Sequence, residues 1–192
     1  DLEASRKMTQ DKKISQPIKI LFVGAMIKPK GVEETLKVAK FLETKGIHYE
    51  LDLVGDGPDL NQFKKQAEDF GISSKVHFHG GVSHYQVSRF YEKAHFLCLL
   101  SHTEGWPKVI SEGMAYGVVP LSTPVGSIPH YLKKFQIGRV LQAGDIQGFV
   151  QEVENYLNDP RLWKEESLRA LKYAELFTYE KYLDEVRELF NS

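Results

Sequence analysis

The sequence has one cysteine, Cys98, which excludes an internal disulfide. Cys98 falls in the apolar run 95–100, where a thiol packs as a small hydrophobe rather than acting as a nucleophile. So few thiols fit a reducing compartment, and a cytoplasmic location is expected. No apolar stretch approaches the ~18 residues of a membrane span, and the polar stretch 1–13 holds no signal-peptide hydrophobic segment. A surplus of one charge is missing as well: 25 Lys and Arg against 26 Asp and Glu leave a formal net charge of −1. A nucleic-acid binder ordinarily carries a basic surplus, so none is expected as partner, and any phosphate site must be local.

What is present is enough for one sizeable core, with 192 residues and 42% hydrophobic content. The chain starts with Asp rather than Met and reads as part of a longer one. Residues 1–16 are polar and aperiodic, which predicts a linker or tail, and 17–192 read as one domain.

Within that domain strands alternate with helices. Strands are predicted over 18–24, 49–54, 75–79, 95–100, 118–122 and, weakly, 139–141. Helices are predicted over 32–45, with Val32, Leu36, Ala39 and Leu42 on one face, over 58–70, and from the Ser83 cap through Lys93. Further helices are predicted from Pro107 to a stop at Gly117, near 128–134, from the Asp145 cap to Asn158, and over 160–191 with a break near 177–179. This alternation predicts an α/β fold, a Rossmann-like parallel sheet covered by helices on both faces. Such sheets bind ligands at the carboxyl ends of their strands, and the loops after Val23, Val54, His79 and Leu100 all leave on that edge.

Four of those loops carry chemistry. Residues 24–31 frame Lys28 and Lys30 between Gly24 and Gly31, without the G-x-G-x-x-G or G-K-[ST] spacings of dinucleotide and P-loop sites. Gly55-Asp56-Gly57-Pro58 alone reads as a turn and helix start. His77 and His79 share a strand face with His84 nearby, but no Cys or carboxylate stands at a convincing ligand spacing, so no metal is assigned. Phe90 and Tyr91 read as core positions of an amphipathic helix.

The fourth loop places Glu104 just before a helix and Glu112 within it, with seven residues between them. The first helical turn leaves backbone N–H groups of Trp106, Lys108 and Val109 unpaired, which favours an anion. An acid before a helix is also favoured by the macrodipole alone, by about 0.3–1 kcal/mol, so this pair fits a capped surface helix equally well. Gly105 lets a ligand approach the backbone, and His102 and Trp106 flank Glu104.

Taken together, residues 22–24 and 30–31, 53–58, 76–82 and 104–112 occur in the order that resembles the C-terminal, donor-binding domain of the retaining glycosyltransferases with the two-domain GT-B fold. That family includes transferases of lipopolysaccharide and capsule synthesis. The resemblance implies that Glu112 binds the ribose hydroxyls and Glu104 those of the donor sugar of a UDP- or GDP-sugar. It implies that Lys30 and the backbone amides of Gly105, Trp106, Lys108 and Val109 hold the diphosphate, with Glu104 and Lys30 as the catalytic residues. Gly24, Gly55, Gly80 and Val82 would border the nucleotide. Cofactors and metals are not expected, since lysine and helix dipole would stabilise the leaving group.

The acceptor, a saccharide or a lipid-linked saccharide, would be held by an N-terminal domain absent from this chain. That domain would also make any peripheral contact with the inner membrane's cytoplasmic face, and the isolated chain would turn over little. Ala25 stands where the family commonly has Arg, with Lys28 the nearest replacement, and Pro129-His130 where it often has Pro-Glu. A sugar-nucleotide 2-epimerase of the same architecture, or a binding module without chemistry, are the alternatives.

Overall fold

The structure, a computed structural model, describes residue 7, residues 9–105 and residues 107–177. Among them, β1 (Ile18–Val23), β2 (Tyr49–Val54), β3 (Val76–Gly80), β4 (Phe96–Leu99), β5 (Val119–Ser122) and β6 (Arg139–Val140) form one sheet in the order β3-β2-β1-β4-β5-β6. Every pairing is parallel, with Ile18 opposite Tyr49 and Ile20 opposite Phe96. The expected Rossmann-like architecture is present, and strand order reverses between β1 and β4, which opens a crevice at their carboxyl ends.

Both faces of the sheet are buried, as all-parallel sheets require. On one face Ile18, Ile20 and Phe22 of β1 pack with Leu36 of α1 (Val32–Thr44), Phe63 of α2 (Leu60–Asp69) and Phe149 of α6 (Ile146–Asn158). On the other, Leu21, Leu97 and Leu99 pack with Tyr91 of α3 (His84–Lys93), Ile110 and Met114 of α4 (Lys108–Met114) and Leu132 of α5 (Ile128–Phe135). The last described helix, α7 (Pro160–Ala174), reaches both clusters, Trp163 joining the first and Ala170 the second. Cys98 is fully buried beside the Thr35 hydroxyl, and burial pushes its thiol up to about 12, in keeping with a packing role.

Caps set the helix starts. Gln86 Oε1 accepts from the Ser83 N–H at 3.0 Å before α3, and Asp145 Oδ1 accepts from the Gly148 N–H at 2.8 Å at α6. Several boundaries differ from expectation, and α4 ends at Met114, three residues before the expected stop at Gly117. Pro58 lies in the turn before α2 rather than inside the helix. Pro107 has an extended ψ of 124° and is the cap of α4 rather than its first residue, so that helix begins one residue later. Leu141 falls outside β6, although its N–H still donates to Ser122 O at 2.8 Å. After α7 a short 3-10 turn, Glu175–Phe177, follows. The expected break at 177–179 and the helix to 191 lie in whole or part outside the described residues.

The described part of 1–16 is anchored to the domain at several points. Ile14 and Thr9 are buried, and the Lys12 ammonium donates to the carbonyls of Tyr91, Ala94 and Tyr116 at 2.9–3.1 Å, where α3 and α4 run out. Lys164 Nζ in turn donates to Thr9, Gln10 and Lys12 carbonyls. A polar composition hides such anchoring, because lysine caps carry no hydrophobic periodicity.

Candidate functional site

The loops that follow β1, β2, β3 and β4 are laced together at the carboxyl edge of the sheet. Gly24 N–H donates to Val54 O at 3.0 Å, Gly55 N–H to Gly80 O at 2.8 Å, and His102 N–H to Pro29 O at 2.9 Å. The Asp59 carboxylate adds a bond from the Lys28 N–H at 3.1 Å. Two glycines allow this close approach. A Cβ on Gly55, at φ +135°, would stand 1.9 Å from Gly24 O, and one on Gly31, at φ +75°, would stand 2.2 Å from Leu100 O.

That lacing aims the lysine. Lys28–Lys30 is a single 3-10 turn ended by left-handed Gly31, and it places Lys30 Nζ 2.7 Å from Glu104 Oε1. Glu104 is largely buried, its side chain 11% exposed, while Lys30 is 32% exposed. The Glu104 loop is held in turn by Ser127, whose N–H donates to Gly105 O at 3.1 Å.

Glu112 lies on the neighbouring side, close to the start of α3. Its Oε2 accepts from the Tyr91 hydroxyl at 3.0 Å, and its Oε1 is 3.6 Å from His84 Nε2. His84 comes just after Val82, which packs on the apolar cluster below α3. A cavity of 190 Å³ opens here, lined in part by Val87, Tyr91, Glu112 and Tyr116.

The structure therefore joins Lys30 to Glu104, and brings Glu112 to the loop of Gly80 and Val82, with Gly24 and Gly55 linking the two parts. Lys108 and Val109 open α4, where Val109 is partly buried against the core. Trp106 lies outside the described residues. His79 Nε2 is 2.6 Å from Asp52 Oδ1 and its ring stands 4.5 Å from Phe90. Among the described residues no group of three His, Cys, Asp or Glu is placed to hold a metal ion, and no helix is long and apolar enough to cross a membrane.

Two residues escape a reading of the sequence. Tyr91, expected only as core, also holds Glu112. Glu34, in the first turn of α1, has Oε1 3.5 Å from His102 Nε2 and Oε2 buried without a hydrogen-bond partner among the described residues. The available signal for Glu34 was its place at a helix start, which the macrodipole alone accounts for.

The doubly wound parallel sheet, with its crevice at the carboxyl ends of the strands, is that of an α/β domain of the GT-B glycosyltransferase type. The chain belongs to the family of glycosyl transferases group 1, whose model matches residues 4–176. It is 29% identical over 190 residues to the N-acetyl-alpha-D-glucosaminyl L-malate synthase of Bacillus anthracis, covering 96% of this chain and 49% of that protein.

Among solved structures it resembles WaaG, a glycosyltransferase involved in lipopolysaccharide biosynthesis, with TM-score 0.75 and 25% identity, covering 93% of this chain and 48% of that one. It also shares its fold with the C-terminal domain of a group 1 family glycosyl transferase, LpcC, from Francisella tularensis. There the TM-score is 0.74 at 19% identity, covering 90% of this chain and 92% of that one. The chain spans about half the length of the curated relatives it matches.

Proposed function

We propose that this chain is the donor-binding half of a retaining glycosyltransferase that takes a hexose from a UDP- or GDP-sugar. The observation that carries the reading is the Lys30–Glu104 ion pair at the carboxyl edge of the sheet, where a cation and an acceptor stand side by side. A diphosphate competes with Glu104 for the Lys30 ammonium. As it takes that ammonium, the Glu104 carboxylate turns its oxygens to the hydroxyls of the sugar, while Glu112 accepts from those of the ribose.

When the bond from the anomeric carbon to the phosphate oxygen breaks, negative charge gathers on the departing diphosphate. Lys30 and the N–H groups that open α4 are the groups that stabilise it. Positive charge from these groups takes the part a metal ion plays in other transferases, so metal independence is part of the proposal. The acceptor is a saccharide or lipid-linked saccharide of cell-surface polysaccharide synthesis, held by a further domain of a longer protein. Of the relatives named above, WaaG, involved in lipopolysaccharide biosynthesis, supports that class of pathway, whereas the name of the L-malate synthase points to a different acceptor.

Titration of the chain with UDP- and GDP-sugars, comparing the wild type with Lys30→Ala and Glu112→Ala, tests the site. Loss of one charge-assisted hydrogen bond costs about 1.5–3 kcal/mol, a rise in Kd of roughly tenfold or more. Unchanged binding in both variants overturns the assignment. With a longer protein that includes the acceptor domain, conversion of the donor in the absence of any acceptor would instead identify an epimerase.

A further inference from the structure

Tyr91 is 2% exposed, yet its hydroxyl reaches out of the core to Glu112 Oε2 at 3.0 Å. Its ring stacks on Tyr116 at 5.8 Å and 14°, and its carbonyl accepts from the buried Lys12 ammonium at 3.1 Å. The phenol is thus fixed from the ring, from the backbone and at its oxygen. Glu112 differs: its side chain is 33% exposed, and its second oxygen, Oε1, stands 3.6 Å from Nε2 of His84, whose side chain is 91% exposed.

We propose that Tyr91 is a positioning residue for the donor, holding one oxygen of Glu112 so that the other is presented to the vicinal hydroxyls of a ribose. The inference rests on the reading of Glu112 given above. A glutamate on a helix surface samples several rotamers, and a ligand that binds it must first freeze them. A charge-assisted bond to an immobile phenol does so before the ligand arrives. Burial, and then the charge of Glu112, hold the phenol above its ordinary range, so it stays a donor at neutral pH.

The test separates positioning from simple support of the fold. Binding of UDP and GDP is compared with that of their 2′,3′-dideoxy counterparts, and the ratio of the two Kd values reports what the ribose hydroxyls contribute. Tyr91→Phe is expected to shrink that ratio on the order of fivefold, as the loss of a hydrogen bond through Glu112 implies. It should add nothing further in a Glu112→Gln background. Tyr116→Phe, which keeps the stacking ring, leaves the ratio intact, and Tyr91→Met is the second variant if Tyr91→Phe does not fold.

A Tyr91→Phe protein that unfolds at lower temperature but keeps the wild-type ratio overturns the positioning role. If Glu112→Gln also keeps the ratio, the ribose assignment of Glu112 fails and takes the inference with it. If Glu112→Gln collapses the ratio and Tyr91→Phe does not, only the inference fails.

Discussion

Lys30 Nζ and Glu104 Oε1 meet at 2.7 Å although 74 positions of sequence separate them. The contact exists because the loops after β1 and β4, neighbours in the sheet, are tied by the His102 N–H to Pro29 O. With Lys30 about a third exposed, the pair itself contributes at most about 1 kcal/mol to stability. On the reading proposed above, its significance is in binding. Glu104→Gln is expected to weaken a nucleotide sugar about tenfold relative to the corresponding nucleoside diphosphate, because the freed Lys30 serves the diphosphate of both ligands while only the sugar offers hydroxyls to that carboxylate. Calorimetric titration with UDP-glucose against UDP, and with GDP-mannose against GDP, checks it. Equal losses for both members of each pair would remove Glu104 from the sugar subsite.

The glycine that lets those loops meet makes a second expectation. Gly31 and Gly46 have nearly the same left-handed φ, +75° and +69°, but only Gly31 has a neighbour in the way, Leu100 O at 2.2 Å from a built Cβ. Gly46→Ala should cost the ordinary left-handed penalty of about 1–2 kcal/mol. Gly31→Ala adds a collision with backbone that cannot move without shifting β4, and should cost at least about 2 kcal/mol more. Urea unfolding of both variants measures the difference, and equal midpoints would contradict the close approach.

Much of this architecture was legible in the residues because its signals are local. The mainly apolar run 18–23 and the alternating segment 49–54 become strands, and Ser83, Asp145 and Gly46 mark helix ends by chemistry that acts within a few positions. The order of helices and strands then places Gly24, Lys30, Gly55, Gly80 and Glu104 on one edge without any tertiary information. The bonds that cross the fold were not legible. Nothing near Tyr91 in sequence shows that its hydroxyl meets Glu112 on another helix, and nothing near Lys12 shows three carbonyls waiting for its ammonium. Both residues combine a long apolar body with a polar tip, so pattern reading registers only one half of what they do.

Glu166 sets a third expectation, away from the site. Only 3% exposed, it accepts from the Gly138 N–H at 2.7 Å, from Arg139 Nη1 at 2.9 Å and from the Tyr156 hydroxyl at 2.6 Å. Arg139 also stands 4.8 Å above the Tyr156 ring and binds Glu152 at 2.8 Å. Removing the carboxylate strands these donors, so Glu166→Ala should cost about 3–5 kcal/mol. Glu166→Gln keeps the shape and one acceptor and should cost less. Denaturant unfolding of both variants gives the ranking, and a Glu166→Ala protein as stable as the wild type would show that the network contributes nothing.

The buried imidazole of His95 gives the fold a pH dependence whose sign is fixed. The residue is 6% exposed, its Nδ1 accepts from the Lys19 N–H at 3.0 Å, and its ring meets Trp163 edge-on at 5.6 Å. Burial, and then the nearby charge of Lys12, lower its pKa from 6.5 to about 4. Between those two values the unfolded chain binds a proton that the folded one refuses. Stability contributed by neutral His95 is therefore fully present above about pH 6.5 and is lost as the pH falls toward about 4. One such group gives a slope of up to about 1.4 kcal/mol per pH unit, and on the order of 3 kcal/mol over the whole interval. His95→Asn, which keeps an acceptor for the Lys19 N–H but cannot titrate, should show a correspondingly flatter loss. Urea unfolding of wild type and variant in steps from about pH 7 down to about pH 4.5 isolates this residue from the carboxylates, because their contribution is common to both proteins. A difference between the two that stays constant with pH would mean that His95 binds its proton equally well in the folded and unfolded chain.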